Sequence, residues 1–375
     1  MQETSGLKKI SRSDFMQTLI NNHIARKVGP DSQKRINALG IGQRMQDLPE
    51  ELWHESFKYY VKHDENRVGG PNLRIIRLDP QKPSLTVTGF IFNKFVHPFE
   101  NRYITVREAL RLQGFPDDLE LKGTLTSTQQ QVGNAVPVPL AKAVFEQIVK
   151  QGLKASGKKI MTAFSLFSGI GGLDIGAELT KKITTQVALD KWKDACNTLE
   201  SYPKNRAKVI CEDITKVTDP LKFWKEHSGV KERPDIIHGG PPCQSFSQAG
   251  KQKGLEDDRG LLIFEFLRFV EKIKPSFFVM ENVSNLKGVG GGKLYRQILK
   301  RAETAGYSVT TDILLAANYG APQMRRRILF IGSRKGYPKI QMPVPTHERE
   351  GSLFGGQAYV SVDEAFKGLP TTQQG

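Results

Sequence analysis

From Met161 onward the chain alternates strand-like and helical runs, and this alternation limits the available folds more than any other feature. Strand candidates are 163–167, 183–190, 208–211, 235–238, 277–281 and 328–331. Helical stretches at 173–179, 194–201, 261–272 and 294–305 lie between them. Apolar strands separated by helices read as a doubly wound, mostly parallel α/β sheet, because parallel strands need crossovers and are covered on both faces. Such sheets collect ligands beyond the carboxyl ends of their strands. The residues that follow each strand are therefore the ones to read for chemistry.

The first strand runs into Phe167-Ser168-Gly169-Ile170-Gly171-Gly172 and then a helix. Glycines at such a turn let the backbone approach a ligand. Asp190 ends the second strand, about 20 residues on, where a ribose hydroxyl is usually bound. Asp213 follows the third. The pattern suits an adenosine moiety, does not by itself separate a dinucleotide from S-adenosylmethionine, and also fits a tight turn with no ligand. The fourth strand ends at Gly239-Gly240-Pro241-Pro242, a stiff turn, and Cys243 comes next. A buried free cysteine is more often inert packing. Against that, Cys243 is flanked by polar Gln244 and Ser245, and Glu281-Asn282 ends the next strand on the same edge of the sheet. A nucleophilic thiol needs its pKa lowered, and Arg325 and Arg327 are the candidate positive neighbours. The plainer readings are a helix-capping carboxylate at Glu281 and a solvated basic run at 325–327.

The first 160 residues carry weaker signals. Phe15, Leu19 and Ile20 mark one face of a short helix, Leu48 to Trp53 a turn into another, and 67–72 a loop. Strands are expected at 73–78 and 85–88. Thr105 with Glu108 is a capping box opening a helix that runs through Leu112 and stops at Gly114-Phe115-Pro116. A helix from Pro137 puts Leu140, Val144 and Ile148 on one face, and residues 151–160 read as a polar linker. Near the other end, 362–369 suits one short helix.

With 375 residues there is room for a large core and two domains. A net charge of +16 favours a polyanionic partner, most simply nucleic acid. The 3 cysteines show no paired spacing, which argues for a reducing cytosol and against a disulfide framework. No Cys/His cluster suggests a metal, no apolar run reaches membrane-spanning length, and the N-terminus lacks a signal-peptide pattern.

Taken together, these segments resemble those of the cytosine-C5 DNA methyltransferases. Phe167–Gly172 is similar to that family's cofactor loop, Pro241-Pro242-Cys243-Gln244 to its nucleophile motif and Glu281-Asn282-Val283 to its glutamate motif. Gln323-Met324-Arg325-Arg326-Arg327 fits its Gln-x-Arg-x-Arg motif. Arg107 to Pro116 resembles the segment supporting target recognition, and Gly133-Asn134-Ala135-Val136-Pro137 the last motif, which completes the cofactor pocket. The order differs from most of the family, because the segments at 107–137 precede the cofactor loop. Cutting near Gly157 and joining residue 375 to residue 1 restores the usual order, so the chain resembles a circularly permuted member.

The resemblance implies the S-adenosylmethionine-dependent methyltransferase fold with a smaller, irregular, β-containing recognition domain. It implies a main recognition part at 1–103, a segment at 104–150 that completes the catalytic domain, the linker at 151–160, the catalytic domain at 161–334 and the rest of the recognition region at 335–375. Cys243 is implied as the nucleophile adding to cytosine C6, Glu281 as the group at the N3 side, and Arg327 with Arg325 at the O2 side. S-adenosylmethionine is implied to lie against Phe167, Gly169, Gly171, Asp190, Trp192, Asp213, Ile214, Pro241, Leu262, Asn134 and Val136, with either Lys191 or Trp192 covering the adenine. The implied substrate is double-stranded DNA with its target cytosine flipped out. The implied setting is a restriction-modification or orphan methylase, monomeric, cytoplasmic and associated with the nucleoid through DNA. The rivals are a tRNA cytosine-C5 methyltransferase, a catalytically silent DNA-binding module and, on the glycine loop alone, a nicotinamide-dependent oxidoreductase.

Overall fold

The computed structural model describes residues 20–63, 75–89, 91, 94–242, 260–349 and 355–374. Its centre is a seven-stranded sheet. In chain order the strands are β1 (Met161–Leu166), β2 (Ile183–Asp190), β3 (Lys208–Cys211), β4 (Ile236–Gly239), β5 (Phe277–Val283), β6 (Tyr307–Leu315) and β7 (Arg326–Arg334). Across the sheet they lie in the order β6-β7-β5-β4-β1-β2-β3. Only β7 runs opposite to the other six strands. The chain winds outward from β1 to β3, then returns to build β4 and β5 on the other side. Strands β1 and β4 are therefore adjacent at the point where the winding reverses, where open α/β sheets form their crevice.

The central strands are apolar along their length because helices cover both faces. Strand β4 is wholly buried, and β5 is buried from Phe277 to Asn282. Helices α1 (Val106–Leu112), α2 (Leu125–Asn134) and α3 (Val138–Ser156) come from the earlier part of the chain. Then follow α4 (Gly172–Glu178), α5 (Lys193–Ser201), α6 (Pro220–Ser228), α7 (Gly260–Ile273) and α8 (Lys293–Thr304). The expected capping box is present: Thr105 Oγ1 accepts from Glu108 N, and Glu108 Oε2 accepts from Thr105 N. Helix α3 packs Leu140, Ala141, Val144, Phe145 and Ile148 into one core with residues of β1, β4 and β5. The segment before Met161 is thus built into the sheet domain.

Residues 151–156 are the last turns of α3 rather than linker, and the helix ends at Gly157 in the left-handed region (φ 66°), leaving a short connection to β1. The turn at 48–53 contains a 3-10 turn, Glu50–Leu52, and the helix it leads into follows at Glu55–His63. The two early strands shrink to Ile76–Arg77 and Ser84–Leu85. Residues 73–74, the 67–72 loop, Phe15 and Leu19 lie outside the described residues. Strand β6 has no counterpart in the sequence reading because it is an edge strand whose middle is half-exposed, so no continuous apolar run marks it. Helix Val362–Phe366 forms as expected, three residues inside the anticipated end.

The two ends of the described chain meet. Ile24–Ala25 pairs in parallel with Gln373–Gln374, and His23 Nε2 lies 2.9 Å from Pro370 O. Arg111 Nη1 donates to Ala365 O and Lys367 O. A single apolar cluster runs from Ile36 through Phe95 and Leu110 to Val138 and includes Val362, so it crosses the boundary expected at 103/104 without a break.

Helices α3 and α4 touch backbone to backbone. A β-carbon on Gly176 would fall 2.4 Å from Ala141 Cβ, and one on Gly172 would fall 2.3 Å from Val136 O. Gly176→Leu should therefore overpack this seam and destabilise the protein by about 1–3 kcal/mol. Urea unfolding followed by circular dichroism measures it, and an unchanged midpoint would show that the helices can part freely.

Candidate active site

The site forms where β1, β4 and β5 end side by side. After β1, Phe167 adopts φ 53° and Gly169 φ 54°. A bulky aromatic in the left-handed region is strained, at a cost on the order of 1–3 kcal/mol, and such strain gathers at ligand clamps. Space beside Gly169 is open, whereas a β-carbon on Gly171 would meet Leu199 Cδ1 at 2.7 Å. Asp190, at the end of β2, holds the loop: its Oδ2 accepts from Gly169 N and its Oδ1 from Trp192 N, both at 2.8 Å. Burial raises the pKa of this carboxyl, and the backbone N–H groups oppose the shift.

After β4, Gly239 and Gly240 leave no room for side chains. A β-carbon on Gly239 would sit 2.1 Å from Leu166 O, and one on Gly240 would meet Glu281 Oε2 at 2.9 Å. Asn282 Nδ2 donates to Pro241 O at 2.9 Å, so the end of β5 fastens the proline turn. Cys243 itself lies just past that turn and outside the described residues, as do Gln244 and Ser245. Glu281 is buried, and Arg327 Nε donates to its Oε1 at 2.6 Å. This pairing fixes one carboxylate oxygen and leaves Oε2 over Gly240.

Arg325 goes elsewhere. It is fully buried, its Nη1 donates to Val87 O at 2.6 Å and its Nη2 to Gly133 O at 2.8 Å. Gln323 acts beside it, donating to Leu112 O and accepting from Val87 N. Residues 323 and 325 thus bolt the strand leading into β7 to the early segments, and only Arg327 reaches the carboxylate. Burial, with Arg327 close by, holds the Arg325 pKa well below the usual guanidinium value.

Two adjoining cavities open at this edge. One, of about 260 Å³, is lined by the glycine loop, Asn134, Val136, Pro241, Glu281 and Arg327. The other, of about 520 Å³, is lined by Asp190, Lys191, Asp213, Ile214 and Leu262. Phe167, Trp192, Asn134 and Pro242 border both. Every expected donor-binding residue borders a cavity except Gly171, which instead caps α4. Where the two cavities join, Trp192 borders both. Lys191 is largely exposed, with its Nζ 3.7 Å from Asp213 Oδ2. Asp213 Oδ1 accepts from Thr215 N and Oγ1, which holds its pKa low. Among the described residues no His/Cys/Asp/Glu group suits a metal ion.

The sequence profile of the family described as C-5 cytosine-specific DNA methylase matches residues 1–150 and 161–356. The chain belongs to that family. It is 40% identical over 224 residues to the Type II methyltransferase M.AquIA of Picosynechococcus sp., covering 55% of this chain and 88% of that protein. It is 36% identical over 214 residues to the Type II methyltransferase M.FnuDI of Fusobacterium nucleatum, covering 56% of this chain and 58% of the relative, little more than half its length. A crystal structure of a DNA modification methyltransferase encoded within an E. coli prophage aligns with 28% identity and a TM-score of 0.40, over 50% of this chain and 53% of that one. S-adenosylmethionine is the methyl donor of C5 methylases, and the cavities fit it. Phe167 and Trp192 border both spaces, Asp190, Asp213, Ile214 and Leu262 line the larger, and the smaller one, beside Gly169, reaches the Glu281–Arg327 pair.

Asn282, legible beside Glu281 at the strand end, holds the proline turn. Two further side chains of this methylase site were not legible in the sequence. Gln131, buried in the wall of the smaller cavity, accepts from Thr198 Oγ1. Asp174 lies buried in the same wall. Both sit inside helices, away from the strand ends, so no local signal marks them.

Arg325→Met keeps bulk but leaves two buried carbonyls unpaired, at about 1–3 kcal/mol each. The expected result is a lower urea midpoint. Unchanged stability with lost turnover would instead put Arg325 on the substrate.

Proposed function

We propose that this chain transfers a methyl group to C5 of a cytosine flipped out of double-stranded DNA, at a specific sequence, through a covalent bond from Cys243 to C6. The observation that carries this reading is the Glu281–Arg327 pair, set against the Pro241-Pro242 turn in the wall of the cavity that the glycine loop lines. The net charge of +16 suits a phosphate backbone. A base can reach this depth only by leaving the stack, at a cost of about a few kcal/mol.

Cytosine C5 is a poor nucleophile. The Cys243 thiolate adds to C6, forming the S–C6 bond and pushing electron density through the ring to C5. Glu281, steadied through Oε1 by Arg327, turns Oε2 to the N3 side of the ring and neutralises the charge that builds there. Arg327 also serves the O2 side. S-adenosylmethionine, held by Phe167, Gly169, Asp190, Asp213, Ile214, Leu262, Asn134 and Val136 with Trp192 against its adenine, supplies the methyl group as an electrophile. Loss of the C5 proton to base and of the Cys243 sulfur from C6 then restores the aromatic ring. Arg325 and Gly171 serve as positioning residues. We place the protein in the cytoplasm, on nucleoid DNA, as a monomeric methylase of a restriction-modification system or an orphan one. The free cysteines Cys196 and Cys211 agree with a reducing compartment.

Labelled S-adenosylmethionine offered with duplex DNA and with tRNA tests the reading. Label should enter duplex DNA alone. Transfer to tRNA would move the substrate, and no transfer to either would favour a silent binding module. Cys243→Ser should abolish transfer while DNA still binds. Glu281→Gln should slow turnover by about 10²–10⁴-fold with donor affinity unchanged. Full activity in Cys243→Ser would end the covalent reading.

We also propose that the fold is a circular permutation of its family's usual order. The family match breaks at 151–160, where the chain crosses from α3 to β1, and the described ends pair at Ile24–Ala25 and Gln373–Gln374. A chain beginning at Lys159, with residue 375 joined to residue 1 by a short linker, should fold and methylate. Failure of several linkers to give folded protein counts against it.

A further inference from the structure

Asp174, on α4, is 4% exposed and lies in the wall of the smaller cavity. Its Oδ2 accepts from Ser165 Oγ at 3.1 Å, but its Oδ1 is buried with no partner among the described residues. The charges that act on it most are Glu178 on the same helix and Asp190 on β2, both negative. The cation lining the same cavity, Arg327, is already paired with Glu281. Burial and these like charges raise the Asp174 pKa to about 7. An isolated buried carboxylate is costly to fold around, and burying it without a counter-ion calls for a reason.

We propose that Asp174 supplies the counter-charge for a cationic ligand, so that the cavity favours the sulfonium donor over its neutral thioether product. The inference rests on the donor reading above. S-adenosylmethionine carries one more positive charge than S-adenosylhomocysteine, and the two are otherwise nearly the same shape. Packing and hydrogen bonds therefore hold both alike, and an unpaired negative charge at the cavity wall is what can tell them apart. Because Oδ1 is shut off from bulk water, the effect acts through the field across a low-dielectric wall and needs no direct contact. The preference serves turnover, since methyl loss removes the charge that Asp174 holds and so loosens the product.

The test is calorimetric binding to the full chain without DNA. For Asp174→Asn the ratio of S-adenosylmethionine affinity to S-adenosylhomocysteine affinity should fall about tenfold. Sinefungin, whose amine replaces the sulfonium, should weaken with the donor, and methylthioadenosine should be unaffected. A second measurement needs no variant. In the wild type the donor-to-product ratio should rise between pH 6 and 8 as Asp174 ionises, and in Asp174→Asn that rise should vanish. Within that window the facing groups to be weighed are Glu178, Asp190 and the Glu281–Arg327 pair, all retained in the variant. An unchanged ratio, or equal loss for donor, product and methylthioadenosine, overturns the inference and leaves Asp174 a packing residue. A wild type that binds neither donor nor product overturns the donor reading and this one with it.

Discussion

The arrangement depends on a contact that only glycine permits. Residues 133–141 lie against 172–176 so closely that the Val136 carbonyl occupies the space a side chain on Gly172 would need. This contact brings Asn134 and Val136 to the cavity that Phe167 and Gly169 open from the other side. Gly133 in turn rests on the backbone of Thr88 and Gly89, where its own β-carbon would be 2.1 Å from Gly89 N. Through these two glycine contacts the early segments, the glycine loop and the strand entering β7 become one rigid wall. Arg325 and Gln323 then tie that wall with buried hydrogen bonds to Val87, Gly133 and Leu112. The Glu281–Arg327 pair has a fixed setting only because the residues around it are held this way.

Features at strand ends were legible in the sequence. Phe167 to Gly172, Asp190, Pro241-Pro242 and Glu281-Asn282 are turn and acidic residues placed directly after apolar runs, and the parallel sheet brings them to one edge. The alternating pattern itself needed no tertiary information, since buried parallel strands must be apolar throughout. The different fates of Arg325 and Arg327 were not legible. Both sit at alternate positions of one extended segment, and what separates them is which neighbour covers each: two backbone carbonyls for one, a carboxylate for the other. Strand β6 was hidden for a related reason, because an edge strand pairs through its backbone and places little demand on its side chains. Asp174 left no trace, being an acidic residue in the first turn of a helix, where a carboxylate needs no special explanation. Only its buried Oδ1, unpartnered among the described residues, sets it apart.

Chain order matters less to this site than contact does. The wall requires 133–141 beside 172–176 and 87–89 beside 133, and neither requirement specifies which segment is made first. Moving the covalent break from one surface connection to another changes only which loop must close. Loop closure is a weak function of length, at about 0.6 kcal/mol for each doubling. Overpacking a glycine seam costs about 1–3 kcal/mol, and leaving a buried carbonyl unpaired costs a similar amount. On these magnitudes, rearranging the ends disturbs the fold less than one added side chain at Gly172 would. A site assembled from distant segments can therefore keep its geometry under reordering, provided that each close contact keeps its glycine and each buried carbonyl its donor.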